Sequence, residues 1–177
     1  MKFIIRLFSA LIITFSYIEL AYSKTTKIII FGDSLIAGYG LVVEDNFVNQ
    51  LKLKTIENKI NDVTLFNSGV SGETSTGLLN RYKWVLEDNY DGVIILIGAN
   101  DALRGIDPSL TSQNIEKILS YLKEKQIPTM LIGMKAPNNL GEIYVNEFNT
   151  IYPKLSKKYN TAYYPFFLKD VALKPSL

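Results

Sequence analysis

Three short stretches of the chain concentrate residues able to perform acyl chemistry: Gly32-Asp33-Ser34-Leu35, Asn67 to Thr74 with its Ser71-Gly72-Glu73, and Gly98-Ala99-Asn100-Asp101. A serine at a tight turn between strand and helix can expose its hydroxyl beside helix N-terminal amides, which suits a nucleophile. Ser34 is placed for that role. Gly72 allows a backbone N–H to approach an oxyanion, and Asn100 offers a side-chain amide donor to the same oxygen. Taken singly, each loop has a blander use, since serine caps helices and glycine shapes turns. Their joint occurrence is the signal. The sequence holds no histidine and no cysteine, which removes the usual general base, the commonest metal ligand and any thiol nucleophile. Asp33 and Asp101 are expected to brace their loops by accepting backbone hydrogen bonds. A serine–lysine dyad using Lys135 finds no support in the spacing. The chemistry needs no cofactor, and no carboxylate cluster suggests a metal.

The elements that must position these loops alternate along the chain. Lys27 to Phe31, Val63 to Phe66, Gly92 to Ile97 and Thr129 to Ile132 read as buried strands, and Ala162 to Phe167 as one more. Between them, Phe47, Leu51 and Ile56 fall near helical spacing, as do Leu78, Leu79, Tyr82, Val85 and Leu86. Ile115, Ile118, Leu119 and Leu122 trace another stripe, ended by Pro128. A last helix spans about Tyr144 to Tyr159, with Pro153 expected to bend it. Strands separated by helices imply right-handed crossovers, a parallel sheet and helices on both faces. In such sheets the site lies beyond the carboxyl ends of the strands, where the three loops fall.

Composition narrows the remaining classes. In 177 residues, 47% apolar and 20% charged, with a net charge of +2, there is material for one core and no basic surface that would track nucleic acid. Gly32, Gly38 and Gly40 follow the first strand, but neither a G-x-G-x-x-G nor a Gly-Lys-Ser/Thr ending is present to hold a nucleotide. Lys2 and Arg6, the apolar run Leu7 to Ile18 and the small residues of Ala21-Tyr22-Ser23 read as a secretory leader over residues 1–23. That run is too short to span a membrane, which takes about 20 apolar residues. The mature domain is expected to cover residues 24–177, in the periplasm or outside the cell, with no stable membrane insertion after cleavage.

Phe31-Gly32-Asp33-Ser34-Leu35, Gly72 within Ser71-Gly72-Glu73-Thr74, and Gly98-Ala99-Asn100-Asp101 resemble, in order and spacing, the first three sequence blocks of the SGNH, or GDSL, hydrolases. Within that family the chain is most similar to the bacterial secreted thioesterase I, lysophospholipase and arylesterase group. Leu103-Arg104-Gly105, Ala136-Pro137-Asn138-Asn139, Ile151-Tyr152-Pro153 and Pro165-Phe166-Phe167 extend the likeness from about Lys27 to the end. The resemblance implies an α/β fold, a flavodoxin-like three-layer α/β/α sandwich on a central parallel sheet. It implies hydrolysis of a small-molecule ester, thioester or lysolipid through an acyl-enzyme on Ser34, by a protein that is a monomer when complete. The Ser34 N–H, Gly72 and Asn100 would form the oxyanion hole, and the Met134 to Gly141 loop would set substrate choice. The family's fourth block, Asp-x-x-His, is absent. The expectation is a C-terminally incomplete domain without the final helix, showing little hydrolysis by itself. The alternative is a non-catalytic ligand-binding protein of the same fold. Asp170 reads as a surface turn residue.

Overall fold

The computed structural model describes residues 24–172. The leader reading falls on residues 1–23, outside the described residues. Five strands form one parallel sheet: β1 (Thr26–Gly32), β2 (Val63–Gly69), β3 (Gly92–Leu96), β4 (Thr129–Ile132) and β5 (Ala162–Tyr164). Their spatial order is β2-β1-β3-β4-β5. The chain therefore reverses its winding between β1 and β3, the switch point where open α/β sheets hold their ligands.

Six helices connect and cover the strands: α1 (Ser34–Ala37), α2 (Phe47–Glu57), α3 (Ser75–Val85), α4 (Ala99–Leu103), α5 (Pro108–Glu124) and α6 (Glu142–Tyr159). Register assigns the faces. Ile28, Ile30 and Gly32 pair with Gly92, Ile94 and Leu96 and share one face, while Ile29 and Phe31 share the other with Val93 and Ile95. A Cβ on Gly32 or Gly69 would collide with Ile36 or Ala37, so α1 lies directly on the first face, and α2 packs against α1 and β2 beside it. Arg81 of α3 stands over the Phe31 ring, which puts α3 on the second face, followed by α5 and α6 in contact series. The three-layer sandwich expected from the sequence is the observed one.

The periodic stripes of α3 and α5 are core: Leu78, Tyr82, Ile115, Ile118, Leu119 and Leu122 are buried. Ile56 departs from its reading: in the last turn of α2 it is 64% exposed, and Val48 is the buried residue of that helix. β5 stops at Tyr164, where Pro165 has no N–H to continue a ladder and the chain turns back so that the Phe167 N–H donates to Gly133 O. Pro153 is carried inside α6, and among the described residues no helix follows β5. No helix there is long and apolar enough to cross a membrane.

Candidate active site

Ser34 is the first residue of α1, two positions beyond the end of β1. Asp33 caps that helix, its Oδ1 accepting from the Leu35 N–H at 3.0 Å, while its main-chain oxygen accepts from Ile36 and Ala37. The first amide of a helix has no intrahelical acceptor. Among the described residues nothing accepts from the Ser34 N–H, and the residue is half-buried.

The second loop is fastened to the first. Val70 N–H donates to Gly32 O at 2.9 Å, and Asn67 bridges back by donating from Nδ2 to Ile36 O at 2.8 Å. Gly72 adopts φ +78°, a left-handed conformation that favours glycine, and its own N–H has no acceptor among the described residues. The adjacent Glu73 is buried and forms a two-point ion pair with Arg81, Oε1 to Nε at 2.6 Å and Oε2 to Nη2 at 2.7 Å. Arg81 also donates to Ser68 Oγ and Ser68 O, each at 2.7 Å. That single guanidinium holds the end of β2, the loop and α3 together.

The third loop is fastened to the second. Asn100 donates from Nδ2 to Glu73 O at 3.0 Å, which orients the amide and leaves its other hydrogen unused. Arg104 donates to Gly72 O at 2.9 Å. Asp101 is fully buried and accepts from Ser75 N–H at 2.8 Å, Ser75 Oγ at 2.5 Å and Thr111 Oγ1 at 3.1 Å. Asn114 adds bonds to Ser75 Oγ and Thr76 Oγ1. From α6, Tyr152 donates to Ile97 O and Tyr144 to Ile106 O, each at 2.8 Å, gripping the loop on both sides of Asn100. Gly98 between them has φ +114°, and a Cβ there would meet Tyr152 Oη at 2.2 Å.

Asp33 and Asp101 brace loops as expected, Asp101 through hydroxyls as well as backbone. Asp33 is not fully compensated: its Oδ2 is buried without a partner among the described residues. Burial pushes its carboxyl above the ordinary range, and the nearby Glu73 and Asp101 charges add to the rise while the Leu35 N–H opposes it. Burial likewise pushes the Tyr152 hydroxyl well up, keeping it a donor. Lys135 places its Nζ over the Phe166 ring, and Asp170 sits exposed in a turn at φ +64°. Glu73–Arg81 and the Asp101–Ser75–Asn114 cluster escape sequence reading, because partners 8, 26 and 39 positions apart leave no periodic trace. Among the described residues no group of His, Cys, Asp or Glu could hold a metal. A cavity of about 620 Å³ lined by Lys24, Lys83, Asp91 and Tyr121 opens at the amino edge of the sheet, away from Ser34.

Two unpaired backbone N–H groups and one oriented side-chain amide at one sheet edge, beside a serine hydroxyl, can bind the oxygen of a carbonyl under attack. Residues 30–176 match the GDSL-like Lipase/Acylhydrolase family. The chain is 34% identical over 172 residues to an arylesterase of Vibrio mimicus, covering 97% of this chain and 84% of that one. It is 35% identical over 149 residues to thioesterase 1/protease 1/lysophospholipase L1 of Escherichia coli strain K12, covering 84% and 70%. The crystal structure of AlinE4, an SGNH-hydrolase family esterase, superposes with a TM-score of 0.83 at 41% identity, covering 86% of this chain and 82% of that one. The chain belongs to the GDSL-like lipase/acylhydrolase family and is a hydrolase of carboxylic ester bonds.

Proposed function

We propose that Ser34 is the nucleophile and that its own N–H, the Gly72 N–H and the free hydrogen of Asn100 Nδ2 form the oxyanion hole. The observation that carries this is that the Ser34 N–H, the Gly72 N–H and one hydrogen of Asn100 Nδ2 have no acceptor among the described residues and follow three neighbouring strand ends. Attack by Ser34 Oγ on the substrate carbonyl builds negative charge on the carbonyl oxygen, which those donors would stabilise, and collapse expels the alcohol or thiol and leaves an ester on Ser34. Water then releases the acid. Each step moves a proton through a base, and these 177 residues contain no histidine to act as one.

The substrate class follows the relatives' names: aryl esters, acyl thioesters or lysophospholipids. A concavity of about 400 Å³ in the segment after β4, lined by Leu140, Gly141, Ile143 and Tyr144 with Glu142 and Glu147, supports a substrate entering past the Met134 to Gly141 loop. The enzyme acts after export, as a monomer whose mature chain begins near Lys24. N-terminal sequencing of the exported protein tests that start, and Met1 retained in a membrane fraction contradicts it. The lack of histidine favours one second reading, a protein that binds acyl esters without cleaving them. Hydrolysis of p-nitrophenyl acetate, abolished by Ser34→Ala, separates the two; binding of an ester with no release of nitrophenol in either form supports the second.

A further inference from the structure

Some of the apolar side chains left in water share one edge of the sheet. Tyr39, Leu41, Val42 and Val43, which follow α1, are 57–80% exposed, Leu103 of α4 is 71% exposed and Ile143 at the start of α6 is 78% exposed. Each follows the carboxyl end of a different strand or its first helix, so they ring the same edge as Ser34. An apolar cluster of this kind on a protein marks a contact surface. Charge narrows what it contacts. Glu44, Asp45, Glu142 and Glu147 stand among these side chains and outnumber the cations Arg104 and Lys135. An acidic apolar rim repels an anionic surface and suits one whose outermost groups are quaternary ammonium, which Tyr39 can also face.

Resting on the reading of Ser34 as an ester-cleaving nucleophile, we propose that this rim docks the enzyme on the surface of an aggregated, choline-type zwitterionic amphiphile, edge-on. The apolar side chains enter the headgroup boundary, the carboxylates meet the ammonium groups, and an ester in the aggregate reaches Ser34 without crossing water. The chain's one tryptophan, Trp84, lies in the last turn of α3 at the opposite edge and is 73% exposed, so it stays in water when the rim is docked.

Co-sedimentation of the purified protein with vesicles of a diether phosphocholine lipid, which offers no ester to cleave, tests the contact. Binding is expected, weaker on diether phosphoglycerol vesicles, with Trp84 emission unchanged. The double variant Val42→Asp/Val43→Asp and the separate variant Ile143→Asp should each lower partitioning roughly tenfold or more, as loss of buried apolar surface with added charge requires. No binding, equal binding by the variants, tighter binding to phosphoglycerol, or a blue shift of Trp84 overturns the proposal. So does a dimer in solution that the double variant splits, since the rim is then a contact between copies. Labelling of Ser34 by a fluorophosphonate reads the site independently. Vesicle binding with the label on a residue other than Ser34 sinks the reading of Ser34, and labelling of Ser34 without vesicle binding sinks the rim.

Discussion

At Asn100 one side chain does two things. Its Nδ2 is tied to Glu73 O and thereby aimed, and the hydrogen left over is the donor assigned to the oxyanion. Asn100→Ala should lower kcat on an aryl ester by about 10²- to 10³-fold, the usual loss for one such donor, with KM little changed. An unchanged kcat removes Asn100 from the site, and a collapsed thermal transition makes its role structural. Asp33 gives a second residue-scale test. Its folded-state acidity is weakened by burial, so the stability it contributes is present while it is protonated and is lost as pH rises through its folded pKa. Asp33→Asn keeps an oxygen to cap Leu35 and cannot ionise. Its melting temperature should exceed that of the parent at neutral pH, and the gap should close in acid below the ordinary carboxylate range. A gap independent of pH contradicts the assignment.

The elements that carry the site are held by contacts across the sheet edge. Arg81 is the clearest: it joins α3, Ser68 at the end of β2 and the buried Glu73 carboxylate. Arg81→Ala leaves that carboxylate buried and unpaired, a loss of about 3 kcal/mol, read by denaturant unfolding. A change within the error of the method would show that the loop does not depend on the pair. Gly98→Ala should also destabilise, because the alanine methyl meets Tyr152 Oη and the backbone is left-handed there, whereas Gly98→Ala with Tyr152→Phe should recover part of the loss. Much of this level was legible beforehand. The three loops announce themselves where Gly, Ser and Asn interrupt β-branched runs, and α3 and α5 carry full helical stripes. Helices α1 and α4, at four and five residues, are too short to show a period. The pairings of Asp101 with Ser75 and of Glu73 with Arg81 exist only once the chain is folded, so no local pattern encodes them.

For the whole molecule, parallel topology decides what the site contains. The order β2-β1-β3 sets Gly32 beside both Gly69 and Leu96, bringing loops some 30 residues apart to one point, while the amino edge with its lysine-lined cavity remains far from the chemistry. Residues 24–177 expressed alone should hydrolyse aryl esters weakly, since a serine without an imidazole retains only what the oxyanion hole and binding supply, on the order of 10³-fold over water. Full, Ser34-dependent turnover from that chain would demand a base other than histidine. The nucleophile itself is tested most directly by treating the protein with a fluorophosphonate and mapping the adduct by mass spectrometry. The site predicts one phosphonyl group, on the peptide containing Ser34, lost in Ser34→Ala and slowed in Asn100→Ala. An adduct on another residue, or ester hydrolysis undiminished in Ser34→Ala, contradicts it.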